Sequence, residues 1–154
     1  MKSPIFPFHP KSTVHLEPGM FWEIPLDSGK FAAGVILQKD PHSRTGFLAG
    51  LLNWLGDERP TPTSLKNAGL VRQGTVHFKT IRETGGAVQG ILNLSQYGIV
   101  PFMEREHNSP RAPVIQGYYR ADVDLSEEER MKLRVASGWG YKVIKILAEK
   151  LNEA

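Results

Sequence analysis

Apolar and polar positions alternate most clearly in residues 18–39, where two apolar runs flank a polar turn that contains Gly29. Alternation with a two-residue period, rich in aromatic and β-branched residues, is typical of β-strands, and a glycine turn between two such runs predicts a β-hairpin. In the first run four apolar residues share one face: Met20, Trp22, Ile24 and Leu26. In the second run both faces are partly apolar, and the small residues at 32–34 allow another layer to approach closely or mark a bend. The sequence therefore predicts this hairpin as core scaffold.

Shorter apolar segments continue the pattern towards the middle of the chain. Residues 45–55 fit either a third strand or a short buried helix, because their leucines have helical spacing while two glycines weaken a helix. The preceding hairpin favours a strand there. Further strands are predicted at residues 74–83, 87–94, 99–103 and 114–119. The polar segments 56–67 and 104–112 contain prolines and are typical of surface loops.

The pattern changes to a helical period after residue 122. Ser126 and Glu129 have the S-x-x-E spacing of a capping box, which predicts a helix from there towards Ala136. A second helix is predicted by five residues on one helical face: Trp139, Val143, Ile146, Leu147 and Leu151. This apolar stripe needs a partner to pack on, and the sheet is the partner that the pattern provides.

Together these elements predict an α+β fold, in which a strongly bent antiparallel sheet carries two C-terminal helices packed on it. An SH3-like partial barrel is one form of such a sheet. The 154 residues fit a single domain. We expect it to consist of an extended N-terminal arm (1–17), a β-rich body (18–119) and the C-terminal helices (122–154).

The composition restricts the cellular compartment in which we expect the protein. The chain has no cysteine, which excludes disulfides and thiolate metal ligands and fits a reducing compartment. The proline-rich first ten residues lack the apolar centre of a secretory signal, and no apolar run approaches the roughly 18 residues that span a bilayer. We therefore expect a soluble, cytoplasmic protein without a membrane partner.

Residues that could carry catalysis or bind a metal are scattered along the chain. The five histidines lie in five separate segments, and no two of them have a metal-ligand spacing. The chain has no cysteine nucleophile and no G-x-S-x-G motif, and the glycines at 85–90 lack the order of a phosphate-binding loop. The sequence therefore predicts a protein that is not an enzyme and that has no cofactor and no bound metal.

The net charge of +3 raises nucleic-acid binding as an alternative. The residues for such a site would be four basic and three aromatic ones: Arg72, Lys79, Arg82, Arg105, Phe78, Tyr97 and Phe102. Phe78 and Lys79 point to opposite faces of the predicted strand, so they do not form one stacking platform. A small basic β-rich nucleic-acid-binding module, or another housekeeping binding module, is therefore the second hypothesis.

Residues 18–37 resemble the opening of the immunity protein 26 family. The family pattern is a glycine, apolar residues, Ile-Pro-Leu, a glycine turn, an aromatic residue and a Gly-x-Val strand. The residues that match it are Gly19, Ile24, Pro25, Leu26, Gly29, Phe31, Gly34 and Val35, with Val35 following Gly34 directly. This resemblance implies a non-enzymatic immunity protein that binds and neutralises a cognate toxin of a bacterial polymorphic toxin system.

The loop after the third predicted strand is the candidate partner-binding surface. Asp57, Glu58 and Arg59 place both charge signs beside Trp54, a mixture found around the anchors of interfaces. Prolines in this loop would limit the ordering entropy lost on binding. The alternative is an idle insertion with Trp54 buried in the core. Because inhibitors of nuclease toxins are often acidic and this chain is basic, we expect a toxin other than a basic nuclease.

Overall fold

The structure is a computed structural model that describes residues 4–153. Its main element is an antiparallel sheet of five strands: β1 (Met20–Pro25), β2 (Phe31–Lys39), β3 (Gly46–Leu52), β4 (Leu70–His77) and β5 (Val88–Ile91). The strand order is β4-β3-β2-β1-β5. The predicted hairpin is formed by β1 and β2, with Trp22 opposite Gly34 and Ile24 opposite Ala32.

In the described part of the chain, a smaller antiparallel sheet and three short helices complete the fold. The small sheet has the order β6-β7-β8 and consists of β6 (Glu104–Arg105), β7 (Val114–Gln116) and β8 (Tyr119–Arg120). The helices are α1 (Thr80–Glu83), α2 (Glu127–Met131) and α3 (Val143–Glu153). The predicted α+β class is confirmed. Within residues 4–153 the edge strands β4 and β5 do not pair with each other, so the large sheet is not a closed barrel.

The large sheet is irregular and carries apolar side chains on both faces. The register shifts in three strand pairs, β1 with β5, β2 with β3 and β3 with β4, and such bulges bend a strand and increase its twist. Trp22 and Ile36 belong to one buried cluster, whereas Phe21 and Val35 belong to a second cluster, as strand alternation requires. A side chain at Gly34 would overlap the Trp22 ring, so this glycine lets the indole approach the β2 backbone closely.

The strand prediction for residues 45–55 is confirmed by β3, but two other strand predictions need correction. The fourth strand begins earlier than predicted, at Leu70, and it ends at His77. The following residues form α1 instead, and its neighbouring residues Thr80 and Ile81 are both buried, whereas the predicted strand would have placed them on opposite faces. Residues 114–119 contain a turn between β7 and β8 and are not one continuous strand.

The predicted strand at 99–103 is wrong, because this segment joins neither sheet. Side chains hold its backbone in place of a strand partner. The Gln73 amide exchanges two hydrogen bonds with the backbone of Phe102, at 2.6 Å and 3.0 Å, and Gln116 Nε2 donates to the Pro101 carbonyl at 2.7 Å. The segment is therefore fixed to the body, with Ile99 buried and the side chains of Val100, Phe102 and Met103 exposed.

Both C-terminal helices are present, but they differ from the prediction in detail. The capping box of Ser126 and Glu129 is formed, with both of its hydrogen bonds at 3.1 Å, and the bond to Ser126 lowers the pKa of Glu129. The helix ends at Met131 and does not reach Ala136, because Ala136 N donates to the Arg105 carbonyl and the chain runs beside β6.

The buried face of α3 is shifted from the predicted one. Ile144 and Ala148 are buried, whereas Ile146 is 56 % exposed, so placing Ile146 on the core face was wrong. The prediction assumed that the helical period already ran through Trp139, but the helix begins at Val143. Trp139 instead packs on β4, where a side chain at Gly74 would overlap its ring.

The described part of the N-terminal arm contacts the body of the domain. Phe8 pairs with Val88 of β5 through two backbone hydrogen bonds of 2.8 Å and 3.1 Å, and Leu16 is fully buried. Phe6 also packs against the first cluster, whereas Ile5 is exposed. Residues 1–3 of the predicted arm lie outside the described residues.

Candidate protein-binding site

The predicted loop residue Arg59 donates a hydrogen bond to a buried carboxylate, Glu23, in the middle of β1. Glu23 alternates with Trp22 and Ile24, so it lies on the opposite face of the strand, and it is only 4 % exposed. Its Oε1 accepts a hydrogen bond from the backbone N–H of Ala87 at 2.6 Å. Its Oε2 accepts from Gln89 Nε2 at 2.7 Å and from Arg59 Nε at 3.0 Å. Three donors thus compensate the burial of this charge.

The Gly85–Gly86 turn brings the Ala87 amide to this carboxylate. Gly85 has a φ of +92°, a left-handed conformation that side chains rarely adopt. A β-carbon at Gly86 would overlap the Glu23 carbonyl oxygen, so only glycine allows this turn to lie against β1. The glycines that superficially resemble a phosphate loop therefore serve a close backbone approach, in a turn between α1 and β5.

Arg59 lies at the surface end of this network. Its side chain is 67 % exposed, and its guanidinium lies 5.8 Å from the centre of the Phe31 ring. Within residues 4–153 its hydrogen bond to Glu23 uses Nε alone, so the four N–H donors of the two terminal nitrogens are not used in this bond. Because the pair is largely solvated on the arginine side, its main effect is to orient Arg59 and not to stabilise the fold.

The other loop residues differ in their surroundings. Asp57 and Glu58 are exposed, and the Asp57 carboxylate lies 4.0 Å from the Lys30 ammonium, at the limit of an ion pair. Gly56 exchanges two backbone hydrogen bonds with Phe31, at 2.8 Å and 3.0 Å, which fixes the loop to β2. Trp54 is half-buried. It contacts Gly56 and packs against the second cluster, so it anchors the loop to the core.

A cleft of about 310 Å³ opens beside Arg59. Besides Arg59 it is lined by Glu23, His9, Gln89 and the turn at residues 85–87. Both Glu23 oxygens already accept hydrogen bonds from within the protein. The charged group that is left in this cleft to bind a partner is therefore the Arg59 guanidinium. Such a fork binds planar carboxylates or paired carbonyl oxygens. The arrangement can thus recognise an acidic or carbonyl-rich surface, and whether the loop binds a partner remains a prediction.

The residues that carry the family resemblance shape the hairpin below this loop. Gly19 and Gly29 have φ angles of +98° and +89°. Gly29 lies in the turn between the strands, which is closed by the Leu26 N–H donating to the Lys30 carbonyl at 2.8 Å. The other matching residues lie in β1 and β2 or beside them. Their geometry explains why this pattern forms a rigid hairpin, but a hairpin does not identify a family.

Of the residues considered for nucleic-acid binding, Arg72 and Phe102 line one cleft, but the others do not join them in a common platform. Arg105 is buried and is held by the Leu133 carbonyl and Asn108. Phe78 packs against the first cluster, whereas Tyr97 packs against the second. In the described part of the chain, no three His, Asp or Glu side chains lie close enough together to hold a metal ion. None of the helices there has an apolar stretch long enough to cross a bilayer.

Sequence reasoning identified Arg59 but missed Glu23, Gln89 and Ala87. One signal was available, because a lone carboxylate between Trp22 and Ile24 in a strongly apolar strand requires compensation if both faces are covered. Its partners lie 36, 64 and 66 residues away in the chain, so no local pattern names them. Comparisons with protein-family models, with curated proteins and with solved structures gave no match for this chain.

Proposed function

We propose that this chain is a non-enzymatic immunity protein of the cytoplasm that binds and neutralises a cognate bacterial toxin. The observation that supports it best is the Arg59 guanidinium, which is held by the buried Glu23 carboxylate and presents its outer edge to solvent. The resemblance of residues 18–37 to an immunity family agrees with this proposal.

The loop is preorganised for binding. Gly56 ties its beginning to β2, and Arg59 ties its end to β1. A loop that is already ordered loses less conformational entropy when a partner docks, so more of the contact energy appears as affinity. A fixed arginine beside Asp57 and Glu58 also gives a charge pattern that selects among partners more than it raises affinity.

The charge of the surface suggests what the partner carries. A free guanidinium edge pairs best with a carboxylate, and exposed carboxylates at residues 57 and 58 pair with a basic side chain nearby. We therefore expect the toxin to present an acidic group opposite Arg59 with a basic group beside it. With a net charge of +3, the chain does not have the acidic surface expected of an inhibitor that mimics nucleic acid.

The proposal is tested by protection of bacterial cells. The C-terminal domain encoded by the neighbouring open reading frame is expressed from an inducible promoter, with and without this chain. We expect growth to be rescued by the wild-type chain and not by the double variant Asp57→Lys, Arg59→Glu. The matched control, Asp124→Lys with Arg120→Glu, reverses two exposed charges elsewhere and is expected to protect. Toxicity that the wild-type chain does not relieve would contradict the proposal.

A further inference from the structure

Glu104, the first residue of β6, is a buried carboxylate that the protein compensates only in part. It is 6 % exposed, and its Oε1 accepts one hydrogen bond, from Gln73 Nε2 at 2.8 Å. Within residues 4–153 its Oε2 has no hydrogen-bond partner, and its carboxylate belongs to no ion pair. The buried Glu23, in contrast, accepts from three donors, one of them an arginine. Burial accordingly raises the pKa of Glu104.

The free oxygen of Glu104 remains accessible from a cleft. In the described residues, the side-chain polar atoms that are both sealed from solvent and unpartnered belong to Trp22, Thr80 and Arg130, so Glu104 Oε2 keeps contact with solvent. Glu104 lines a cleft of about 230 Å³ and a neighbouring cleft of about 220 Å³. Polar groups in the wall of such a site orient a bound ligand. This carboxylate is thus an acceptor for a ligand that enters the clefts.

Two arginines lie near this carboxylate without pairing with it. Arg72 and Arg134 line the first cleft, and their charges lower the pKa of Glu104, against the effect of its burial. Within residues 4–153 neither guanidinium belongs to an ion pair. A ligand that carries an ammonium group and a carboxylate group would therefore satisfy the acceptor and the cations together.

The second cleft provides an apolar wall beside these charges. Its apolar lining residues are Val71, Phe102, Met103 and Leu133. The Gln73 amide exchanges hydrogen bonds of 2.6 Å and 3.0 Å with the Phe102 backbone, and the same amide donates to Glu104. Because Phe102, Glu104 and Arg134 line both clefts, the charged and the apolar part form one continuous site.

We infer that the two clefts bind a free α-amino acid with a large apolar side chain, such as leucine, methionine or phenylalanine. The ammonium group donates to Glu104, the carboxylate pairs with Arg72 or Arg134, and the side chain lies against Phe102. Small-molecule sites enclose about 300–1,000 Å³, which is the range that the two clefts reach together. Arg59 lines neither cleft, so this site is separate from the loop of the proposed function.

The first test is calorimetric titration of the full chain with free amino acids. We expect saturable one-to-one binding of leucine, methionine or phenylalanine, with glycine and aspartate at least about tenfold weaker. The N-acetylated form of the best ligand has no ammonium group for Glu104, and its amide form has no carboxylate for the arginines. Each of these two forms should bind at least about tenfold more weakly than the free amino acid.

Variants of the full chain assign the two charges of the ligand. Glu104→Gln, which can still accept from Gln73, should weaken binding about tenfold or more and remove most of the penalty of N-acetylation. Arg72→Ala with Arg134→Ala should do the same for the penalty of the amide form. The matched control is Arg82→Ala with Arg120→Ala, two exposed arginines outside both clefts, and it should bind like the wild type.

Asp57→Lys with Arg59→Glu should also leave the affinity for the amino acid unchanged, so a failure of the toxin proposal is distinguishable from a failure here. Circular dichroism melting of each variant shows that a loss of affinity is not a loss of folding.

Four results would overturn the inference. One is that no apolar amino acid saturates the chain at millimolar concentration, and another is that the N-acetylated form binds as tightly as the free amino acid. Equal binding of the amide form would overturn it because the occupant would then be the N-terminus of a peptide. Tighter binding of a nucleoside monophosphate would do so as well, because a planar base on Phe102 would then be the occupant.

Discussion

Removal of the Glu23 carboxylate is the change that tests the candidate site most sharply. Glu23→Ala removes the acceptor for three donors, on Ala87, Gln89 and Arg59. The half-buried Ala87 N–H would be left without an acceptor, which costs about 1–3 kcal/mol, whereas the Gln89 amide can turn towards water at about 1 kcal/mol. The exposed Arg59 adds about 0–1 kcal/mol. The variant no longer has to bury the Glu23 charge, and this offsets part of these three costs. We therefore expect the free energy of unfolding to fall by about 2–3 kcal/mol.

Two further variants make this expectation specific. Glu23→Gln keeps an oxygen for the Ala87 N–H but turns an NH₂ group towards the other donors. Its cost should therefore lie between the cost of Glu23→Ala and the cost of Arg59→Ala. Arg59→Ala should cost less than about 1 kcal/mol, because most of its side chain is solvated. Urea unfolding gives the three values, and amide hydrogen exchange at Ala87 reports the local bond. The reasoning is refuted if Glu23→Ala costs less than about 0.5 kcal/mol, or if Arg59→Ala costs as much as Glu23→Ala.

Three other outcomes follow from the described contacts. Ile24→Asp should unfold the domain, because a carboxylate at this fully buried position has no partner and costs several kcal/mol, and a soluble variant with an unchanged melting temperature would contradict this. Burial raises the pKa of Glu104, so the folded state holds this proton more tightly than the unfolded chain, and its contribution to stability falls as the pH rises through the folded pKa. Glu104→Gln, which can still accept a hydrogen bond from Gln73, should therefore raise the urea midpoint of unfolding near pH 7. This gain in stability should disappear as the pH falls to about 4. An equal gain at both pH values would be inconsistent with this cause. Elemental analysis of the purified chain should show no stoichiometric transition metal, and stoichiometric zinc would overturn that expectation.

The parts of the fold that sequence reasoning found are those with a strong local pattern. The hairpin of β1 and β2 combines alternation with a glycine turn, and the capping box at Ser126 satisfies itself within one helical turn. The segments that it misjudged depend on long-range contacts. Residues 99–103 alternate like a strand, but Gln73 and Gln116 satisfy their backbone, so no strand partner is needed.

The candidate site was only half visible in the sequence for the same reason. Arg59 was singled out because it lies in a polar loop that places both charge signs beside Trp54, yet its position depends on Glu23, which the sequence analysis did not select. Glu23 became important only because the Gly85–Gly86 turn and the neighbouring strand β5 bring the Ala87 N–H and the Gln89 amide to its carboxylate. A pattern with a two-residue period shows which face a residue takes, but it does not show what covers that face.

The central claim, that the Arg59 loop is the surface that would bind a toxin, is tested most directly by calorimetric titration of the C-terminal domain encoded by the neighbouring open reading frame into this chain. We expect a saturable one-to-one complex with the wild type and an affinity at least about tenfold weaker with Asp57→Lys, Arg59→Glu. The Asp124→Lys, Arg120→Glu control should bind like the wild type. An unchanged affinity for the folded loop variant would contradict the claim and make the loop a bystander.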